Sequence, residues 1–492
     1  MMEDAIRPHT IFADRLIASP GMSRAERGVS VHIEGGRIAT LTQGARSDDY
    51  TTGDNLVMPA LANAHDHGRG LRRLAYGALD DALEVWLAAS SGLHPAIDPY
   101  LVAAAAFARM ARAGVSATVH CHMPQRFDHL KDEAKAVCRA ADEIGIRLAF
   151  VVPMVDRNRL VYGEDDVVLA HLDAKDQELL RARWLRPLPS AAEQVAFAKE
   201  IARSIGSDKV DVQFGPFGLE WASDEMLGLV AEASHRTGRR IHMHCQETRF
   251  QRQWADRTYP GGFLRHLDRL GVLSPRLTLA HCVWLRPEEC ELLAERGVTL
   301  AINTSSNLRL GSGIAPVAEM VRRGVRVAFG VDALSMDDDD DALRELRLAY
   351  RLHRGTTLTE GLTQEVLLKG AMTTGHEIVD DGAGYGEIKA GAPADLIVFD
   401  WNALAGDVVS TRTSEADLIL ARANHSHIRS VIAGGREIVK DGRILGLDLP
   451  AIEAALIAQA RAGMAASDAF LPTLERYQGA VHRFYKELGW QG

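Results

Sequence analysis

Short apolar runs alternate with amphipathic helical windows through the middle of this chain. Each run has the length of a strand, and in the windows that follow, such as 103–113 and 192–205, apolar residues recur at helical spacing. Strands that alternate with helices predict a parallel sheet, and eight such units predict a TIM-type (β/α)8 barrel. The predicted barrel strands are 57–65, 116–122, 147–155, 209–217, 240–246, 276–283, 298–304 and 325–331.

The two ends of the chain have a different pattern, in which short β-type runs are separated by Gly-rich turns. This pattern predicts a small composite β-sandwich beside the barrel, and the sequence from residue 450 onward predicts a helical tail that packs on the barrel or on a partner subunit. The predicted domains are 1–57 with 384–448 (sandwich), 58–383 (barrel) and 449–492 (tail). The predicted terminal strands are 10–17, 29–33, 37–41, 386–388, 395–399, 428–433 and 437–440.

Composition narrows the class of protein. The 492 residues are 47% hydrophobic and 25% charged, as in an ordinary soluble globular protein, and the net charge of −10 without a basic cluster predicts no nucleic-acid partner. No long apolar run and no signal-peptide pattern is visible, so we expect no membrane association. Five cysteines without a C-x-x-C pair favour a reducing compartment, and we expect a cytoplasmic protein.

Two stretches of the barrel region allow alternative interpretations. The third unit contains a charged insert, 157–189, which is either a lid over the barrel mouth or an ordinary surface loop. The run of five aspartates at 337–341 lies at a predicted helix start, where carboxylates interact favourably with exposed amides. Helix capping is the favoured interpretation of that run, and recognition of a cationic substrate is the alternative.

Residues that bind metals stand at the ends of several predicted strands. The first run leads into His65 and His67, the fifth contains His244, the sixth contains His281, and the eighth precedes Asp332. Side chains two residues apart on a strand point the same way, so His65 and His67 are expected to bind one cation together. Active residues of a barrel lie at the carboxyl ends of its strands. The pattern therefore predicts a metal site at the barrel mouth.

The sequence around these residues resembles the chlorohydrolase and deaminase branch of the amidohydrolase superfamily, which includes cytosine, guanine, adenosine-type and triazine hydrolases. The resemblance spans residues 10–445. Its motifs are Pro59-x-Leu61-x-Asn63-Ala64-His65-x-His67, His244-x-x-Glu247-Thr248, Leu279-Ala280-His281, Ser305-Ser306-Asn307 through Pro316, Gly330-Val331-Asp332 and Ala394-Asp395-Leu396.

The resemblance implies one divalent metal ion per chain, Zn²⁺ in the first place and Fe²⁺ as the alternative, with His65, His67, His244 and Asp332 as ligands. Such an ion lowers the pKa of a bound water to near neutral. Two-metal relatives carry a modified lysine at the end of the fourth strand. Here Lys209 stands only at the start of that strand, which favours a single metal.

The same resemblance implies the catalytic groups. Glu247 would take a proton from water and return it to the leaving nitrogen. His281 would polarise the water or the developing oxyanion, and Asp332 would be a second proton acceptor. His242 shares a strand face with His244, and we expect it to support the site or to pack in the core.

Residues that contact the substrate are less well defined. Trp86 either stacks on a planar ring or packs in the core, and Arg69, with Arg72, could bind an acidic or carbonyl-bearing substrate. His122 could touch the substrate, and Gln125 could recognise a ring edge. Phe217 stands where several nucleoside-deaminating relatives carry a histidine that contacts the substrate. An apolar ring there puts a nucleoside substrate in doubt.

Together these features predict a metal-dependent hydrolase of non-peptide C–N bonds that deaminates a purine, pterin, pyrimidine or triazine and releases ammonia. One alternative keeps the site but hydrolyses an amide, a substituted amine or an aryl chloride. A second alternative is a metal-binding protein that has lost catalysis. The expected partner is a small-molecule substrate, and we expect a homodimer or a larger homo-oligomer.

Overall fold

The computed structural model describes residues 8–44, 53–355, 361–380 and 384–487. Its strands belong to two sheets. They are β1 (His9–Leu16), β2 (Glu26–Glu34), β3 (Arg37–Gln43), β4 (Asn55–Pro59), β5 (Leu61–Asn63), β6 (Val115–Cys121), β7 (Arg147–Met154), β8 (Val210–Pro216), β9 (Ile241–Cys245), β10 (Leu277–His281), β11 (Thr299–Ile302), β12 (Arg326–Phe329), β13 (Leu396–Asp400), β14 (Ile428–Ala433), β15 (Arg436–Lys440) and β16 (Arg443–Ile444).

Helices follow the barrel strands and form the end of the chain. They are α1 (Leu83–Gly92), α2 (Pro99–Arg112), α3 (Leu130–Ile144), α4 (Asp165–Leu169), α5 (Ala174–Trp184), α6 (Ala191–Ser204), α7 (Asp224–Thr237), α8 (Arg249–Thr258), α9 (Phe263–Arg269), α10 (Pro287–Glu295), α11 (Thr304–Arg309), α12 (Val317–Arg322), α13 (Ala342–His353), α14 (Gln364–Lys369), α15 (Gly375–Val379), α16 (Trp401–Ala405), α17 (Glu415–Arg422), α18 (Leu449–Ser467) and α19 (Leu471–Glu487).

The eight strands β5 to β12 form one parallel sheet in sequence order, with helices between them. From β6 to β12, each barrel strand begins within one residue of its predicted start. The predicted TIM-type barrel is confirmed. Parallel strands that are covered by helices are apolar throughout, which explains why continuous hydrophobic runs located them so well.

Hydrogen bonds close the barrel between β5 and β12. The amide of Ala64 donates to the carbonyl of Phe329 at 2.9 Å, and the amide of Asp332 donates to the carbonyl of His65 at 3.0 Å. The side-chain oxygen of Asn63 accepts from the amide of Val331 at 3.0 Å. The closure brings His65 and Asp332 together, although they are far apart in the chain.

The predicted first strand, 57–65, is wrong as a single element. Its first half is β4, which pairs with β1 and β13 in the terminal sheet, and its second half is β5, which pairs with β6 in the barrel. Both halves are buried, so the hydrophobic pattern is continuous across the break at Ala60. His65 and His67 therefore lie in the turn beyond β5 and not on a strand.

Asp66 fixes this turn. Its carboxylate accepts from the amide of Gly68 at 2.6 Å and from the amide of Ala333, beyond β12, at 2.9 Å. Burial, followed by the charge of Asp340, raises the pKa of Asp66 to about 7. The two histidines on either side of Asp66 are thus held by the turn geometry rather than by strand pairing.

The ends of the chain share one eight-stranded sheet in the order β16-β15-β14-β13-β4-β1-β2-β3. Antiparallel pairing of β13 with β4 joins the C-terminal strands to the N-terminal ones. Ile11 and Ile33 from one half pack with Leu396 and Ile432 from the other half in a single core. A second sheet built from both chain ends is therefore present.

The predicted strand 386–388 is wrong, because residues 384–386 form a turn and residues 387 and 388 have no regular structure. Gly386 has a φ of +78°, a conformation that suits a turn and interrupts a strand. The amide of Ile388 still donates to the carbonyl of Ala18 at 2.7 Å, and its side chain packs in the core of the terminal sheet.

The helical tail packs on the barrel domain of the same chain. Leu456 of α18 packs with Leu101 of α2, and Leu474 of α19 lies in the main core. The insert 157–189 contains α4 and α5, and its Asp176 accepts from the Thr473 hydroxyl at 2.7 Å. The tail thus holds the insert in place. The last five residues of the predicted tail lie outside the described residues.

The aspartate run begins a helix, as the favoured interpretation predicted. The Asp341 side chain accepts from the amides of Leu343 at 3.0 Å and Arg344 at 3.3 Å at the start of α13. Asp340 is buried and forms an ion pair with Arg109 at 3.0 Å. Capping by Asp341 is confirmed, and the carboxylate of Asp340 is already neutralised within the fold.

Two further observations concern membrane-spanning helices and the cysteines. Among the described residues, no helix is long and apolar enough to cross a membrane. All five cysteines are buried and free.

Replacing Gly330 with alanine is expected to lower the free energy of unfolding by about 1–3 kcal/mol, as overpacking does. A Cβ at this position, just after β12, would lie 2.5 Å from Asn303 Oδ1 and 2.6 Å from the His65 carbonyl oxygen. Urea denaturation measures the effect. As the control, Gly228→Ala in α7 should be neutral or stabilising, because a Cβ there meets nothing within 4 Å. Equal midpoints for Gly330→Ala and the wild type would contradict the close approach.

Candidate metal centre

Four ligand-type side chains converge at the carboxyl ends of the barrel strands. His67 Nε2 lies 3.3 Å from His244 Nε2 and 3.4 Å from Asp332 Oδ1, and His65 Nε2 lies 3.5 Å from Asp332 Oδ1. They come from the turn after β5, from β9 and from the turn after β12. The structure therefore brings together all four residues that the sequence predicted as ligands.

Hydrogen bonds to the far side of two rings orient their free nitrogens. His67 Nδ1 donates to the Cys121 carbonyl at 2.9 Å, and His244 Nδ1 donates to the Phe217 carbonyl at 2.8 Å. Because a carbonyl only accepts, each Nδ1 carries the proton and each Nε2 presents a lone pair. Two nitrogen atoms whose lone pairs face each other at 3.3 Å cannot hydrogen-bond and repel each other. A cation that binds between them removes this repulsion.

Unpartnered buried atoms support the same interpretation. His65 Nε2 and Asp332 Oδ1 are buried and have no hydrogen-bond partner among the described residues, which is costly unless an ion binds there. Ligand bonds of about 2.0–2.1 Å place neighbouring ligand atoms of a tetrahedral zinc site about 3.3 Å apart. The observed separations of 3.3–3.5 Å fit a divalent metal ion.

Burial also sets the charge of the three histidines. Loss of solvent, with smaller contributions from nearby charged groups, holds the pKa of His65 and His67 well below the ordinary value. Loss of solvent and the charge of His281 lower the pKa of His244 to about 4. All three imidazoles are therefore neutral near pH 7, which is the form that binds a metal.

His242 and Ser306 support two of the candidate ligands. His242 Nε2 lies 2.8 Å from His65 Nδ1, and the two rings are nearly parallel. The Ser306 hydroxyl donates to Asp332 Oδ2 at 2.6 Å, which leaves Oδ1 directed at the histidines. Such contacts fix the orientation of ligands and strengthen metal binding.

Replacing His242 with phenylalanine is expected to weaken zinc binding about 10–100-fold, the usual effect of removing a supporting hydrogen bond. The ring volume is nearly kept, but His65 Nδ1 loses its partner at 2.8 Å. Competition with a chromophoric chelator measures the affinity. His353→Phe is the control, since His353 is also a buried histidine but bonds Thr304, at 3.2 Å, instead of a candidate ligand. Unchanged affinity in His242→Phe would show that the bond to His65 has no role in metal binding.

Glu247 and His281 lie beside the four ligand atoms. Glu247 follows β9, and its Oε2 is 3.7 Å from His281 Nε2. His281 Nδ1 donates to Asn307 Oδ1 at 2.9 Å, so its Nε2 is turned toward Glu247 and toward Asp332 Oδ2 at 3.9 Å. Burial, followed by the charges of Asp332 and Glu84, holds the pKa of Glu247 well above its ordinary value.

Residues in the turns after three strands adopt left-handed backbone conformations. The φ angles are +49° for Gln246, +71° for His281 and +43° for Asp332. Such conformations in residues other than glycine cost about 1–3 kcal/mol each and cluster at active sites. They direct the side chains of this turn region into the barrel mouth.

Trp86 and Arg69 lie together near the candidate ligands. Trp86 is buried in α1 among Leu83, Leu310 and Leu334, and its indole nitrogen has no hydrogen-bond partner among the described residues. Arg69 donates to the Asp332 carbonyl at 2.7 Å, and its guanidinium carbon lies 5.2 Å from the Trp86 ring centroid. Both side chains are placed where a substrate at the metal could meet them.

The other predicted substrate residues have partners of their own. His122 Nε2 donates to Glu133 at 2.8 Å. The side-chain amide of Gln125 bonds both the amide and the carbonyl of Ile97. The hydrogen bonds of Gln125 are thus used to fix the loop before α2, and reading of a ring edge does not follow from its placement.

Phe217 contributes through its backbone. Its carbonyl accepts from both the amide and the Nδ1 of His244, at 2.9 Å and 2.8 Å. Its ring lies beside Trp221, with the two centroids 6.4 Å apart. The side chain offers no hydrogen bond at this position, and the structure places an apolar ring there as the sequence indicated.

Several residues of the site received no role from the sequence. Ser306 and Asn307 belong to the motif of residues 305–316, which could have pointed to them. Glu84 accepts from the Thr248 hydroxyl at 2.6 Å, and burial raises the pKa of Glu84 to about 7. Arg73 lines a cavity of about 40 Å³ beside His67. For Glu84 and Arg73 the sequence held no distinguishing pattern.

Comparisons with known proteins agree with the fold. The model of the amidohydrolase family matches residues 56–438. The 5'-deoxyadenosine deaminase of Methanosarcina barkeri is 27% identical over 427 residues, covering 85% of this chain and 90% of that protein.

Two solved structures share the fold. An adenosine deaminase from Xanthomonas campestris with bound zinc has a TM-score of 0.74 at 23% identity, covering 94% of this chain and 98% of the other. The atrazine chlorohydrolase of Arthrobacter aurescens TC1 complexed with zinc has a TM-score of 0.76 at 21% identity, covering 92% of this chain and 99% of the other.

Proposed function

Since this chain belongs to the amidohydrolase family, we propose that it is a metal-dependent hydrolase of non-peptide C–N bonds that deaminates an N-heterocycle and releases ammonia. The observation that carries the proposal is a buried carboxylic acid, Glu247, held 3.7 Å from His281 beside four converging ligand atoms. Hydrolytic loss of ammonia needs both features, because water must be activated and the leaving nitrogen must gain a proton.

His65, His67, His244 and Asp332 would hold one divalent metal ion. Three neutral imidazoles and one carboxylate suit Zn²⁺ in the first place and Fe²⁺ as the alternative. When bound, the ion supplies a Lewis acid that lowers the pKa of a bound water and polarises the reacting centre.

Glu247 would move the proton during the reaction. In the overall conversion water adds to the ring carbon, a proton passes to the exocyclic nitrogen, and the C–N bond breaks to release ammonia. The Glu247 carboxylate would accept a proton from water, and because its pKa is raised it is a stronger base than an ordinary glutamate and returns the proton near neutral pH. The 3.7 Å separation between Glu247 Oε2 and His281 Nε2 supports this role at one end of the ligand cluster.

His281 and Asp332 would position and polarise the reacting groups. The bond from His281 Nδ1 to Asn307 fixes the ring, and its Nε2 faces Glu247 Oε2 and Asp332 Oδ2. The Ser306 hydroxyl holds Asp332 Oδ2 at 2.6 Å, so the aspartate keeps one oxygen for the metal and one near the reacting centre. Asp332 would then be a second proton acceptor.

Trp86 would form one wall for a planar ring. It packs with Leu83, Leu310 and Leu334 and provides an aromatic face near the candidate ligands. We infer a purine, pterin, pyrimidine or triazine as the substrate class. The relative named 5'-deoxyadenosine deaminase supports a purine, whereas the apolar ring of Phe217 offers no hydrogen bond to a nucleoside.

A second candidate reaction keeps the site and changes the leaving group. The likeness in fold to an atrazine chlorohydrolase favours hydrolysis of an aryl chloride or a substituted amine as the alternative. Chloride leaves without a proton, so proton transfer by Glu247 favours a nitrogen leaving group.

We also propose a homodimer or larger homo-oligomer in the cytoplasm, where the five buried thiols stay reduced.

Metal analysis paired with an ammonia assay tests the proposal. The purified protein is loaded with zinc or iron, its metal content is measured, and ammonia release is followed across aminopurines, pterins, aminopyrimidines and aminotriazines. About one metal ion per chain with ammonia from one ring class would support the proposal. Full metal occupancy without ammonia from any ring would refute deamination and direct the assay to amides, substituted amines and aryl chlorides.

A further inference from the structure

A cavity next to the candidate metal centre has a cationic wall. It has a volume of about 40 Å³, opens beside His67, and is lined by Arg69, Arg73, His94 and His120. The four ligand atoms of the metal centre account for none of these side chains. Burial lowers the pKa of His94 to about 3 and holds the pKa of His120 well below its ordinary value, so only the two arginines carry charge. The burial of Arg73 therefore requires a separate explanation.

Arg73 is a buried arginine without a partner. Its side chain is 8% exposed and makes no hydrogen bond or ion pair with any described residue. Burial, followed by the charge of Arg69, lowers the pKa of Arg73 to about 9. By contrast, the neighbouring Arg72 reaches the carboxylate of Asp340 at 3.4 Å. A buried guanidinium is expensive to maintain unless a negative charge compensates it.

The cavity contains no free carboxylate that could compensate Arg73. Glu133 also lines it, but its carboxylate already accepts from His122 Nε2 at 2.8 Å and from the amides of Gln125 and Arg126, both at 3.1 Å. No ion pair links Glu133 to Arg73 among the described residues. Among the described residues, therefore, no carboxylate compensates Arg73, and a bound anion would do so.

Arg69 connects the cavity with the reaction centre. It donates to the Asp332 carbonyl at 2.7 Å and lies over Trp86, so it stands between the metal ligands and the aromatic wall. Arg69 Nε and His120 Nδ1 are buried without hydrogen-bond partners among the described residues. Because His122 Nε2 donates to Glu133, His120 Nε2 donates to His122 Nδ1 at 3.1 Å, and His120 Nδ1 is left as an acceptor. A molecule that filled the cavity from the metal centre would meet the Arg69 donor and Arg73.

We propose that the substrate carries a carboxylate, which Arg73 binds while the ring of the substrate lies at the metal beside Trp86. The inference rests on the proposed function, since it specifies the substrate of that site. A planar guanidinium pairs with a carboxylate through two parallel hydrogen bonds. One unpartnered arginine matches one negative charge, which favours a carboxylate over a doubly charged phosphate.

The inference is tested by the binding, without turnover, of pairs of ring compounds that differ only in a carboxylate. The pairs are orotate and uracil, lumazine-6-carboxylate and lumazine, xanthine-8-carboxylate and xanthine, and oxonate and 5-azauracil. None carries an exocyclic amino group, so none can be deaminated. Calorimetry on the zinc-loaded, full-length protein should show that the carboxylated member of at least one pair binds about 10-fold or more tightly, the effect of a charge-assisted hydrogen-bond pair.

Variants of Arg73 assign the preference to this side chain. Arg73→Met and Arg73→Gln should abolish the preference for the carboxylate, and Arg73→Lys should keep part of it. Arg126→Met is the matched control. This substitution removes the same charge nearby, but Arg126 is exposed and paired with Asp128. The control should keep the preference. Equal affinities within every pair, or a preference that persists in Arg73→Met, would overturn the proposal.

Thermal denaturation of the ligand-free protein separates a binding role from a structural one. Because Arg73→Met removes an uncompensated buried charge, its melting temperature should equal or exceed that of the wild type. Loss of the fold in both Arg73→Met and Arg73→Gln would overturn the inference. The ammonia assay stands apart from these measurements, since full metal occupancy without ammonia refutes deamination but leaves the binding preference measurable.

Discussion

Glu247→Gln is expected to lower kcat by about 10²–10⁴-fold while the metal content stays at the wild-type level. Glutamine keeps the size of the side chain and its place beside His281, but it cannot carry a proton between water and the leaving nitrogen. The substrate should still bind, so KM should change far less than kcat. Steady-state kinetics of ammonia release, together with metal analysis of the same sample, measures both effects.

Glu415→Gln is the matched control for this variant. Glu415 is also a buried glutamate, but it pairs with Arg27 in the terminal region, away from the barrel mouth. The control should retain wild-type kcat. A Glu247→Gln protein with wild-type kcat and full metal content would remove Glu247 from the mechanism.

Removing the metal is expected to abolish turnover and to lower the thermal stability of the protein. Without a cation, the lone pairs of His67 and His244 face each other at 3.3 Å, and Asp332 Oδ1 stays buried without a partner. Chelation should therefore reduce ammonia release to background. About one equivalent of zinc per chain should restore both the activity and the melting temperature, since a ligand that binds only the folded state stabilises it.

His244→Ala should make the loss of turnover permanent. This variant removes one of the converging ligand atoms, so zinc should neither bind stoichiometrically nor restore activity. His235→Ala is the control, because His235 is an exposed histidine on α7. Full recovery of His244→Ala with one equivalent of zinc would contradict the assignment of His244 as a ligand.

A line of contacts connects the C-terminal helix with Glu247. The amide of Tyr162, in the insert, donates to the Tyr485 hydroxyl of α19 at 3.0 Å. The Tyr162 hydroxyl accepts from the Gln251 side chain at 3.3 Å, and the Gln251 oxygen accepts from the amide of Glu247 at 2.6 Å. The insert is therefore better understood as a support that fixes the turn after β9 than as a moving lid.

The sequence by itself determined the barrel and the residues of the candidate metal centre. Barrel strands such as β8 and β9 are buried on both faces, so they appear as apolar runs that a local pattern detects. Because the carboxyl ends of parallel strands meet at one mouth, the positions of His67, His244 and Asp332 after such runs already predicted that they meet.

Only the tertiary structure decided which strand each apolar run pairs with. The run 57–65 is uniformly apolar, and only the pairing of β4 with β13 and of β5 with β6 divides it between two sheets. The pattern also placed His65 on a strand, whereas the bond of Asp66 to Ala333, 267 positions away, holds it in a turn.

The arginines after the metal motif show the same limit most clearly. Arg69, Arg72 and Arg73 are equivalent as sequence, and all three are cationic residues of one short stretch. In the fold Arg72 reaches Asp340, Arg69 reaches the Asp332 carbonyl, and Arg73 is buried without a hydrogen bond or ion pair to any residue that the structure describes. Residue type and spacing are local properties, but pairing and desolvation depend on groups that are hundreds of positions apart, and those interactions exist only once the chain is folded.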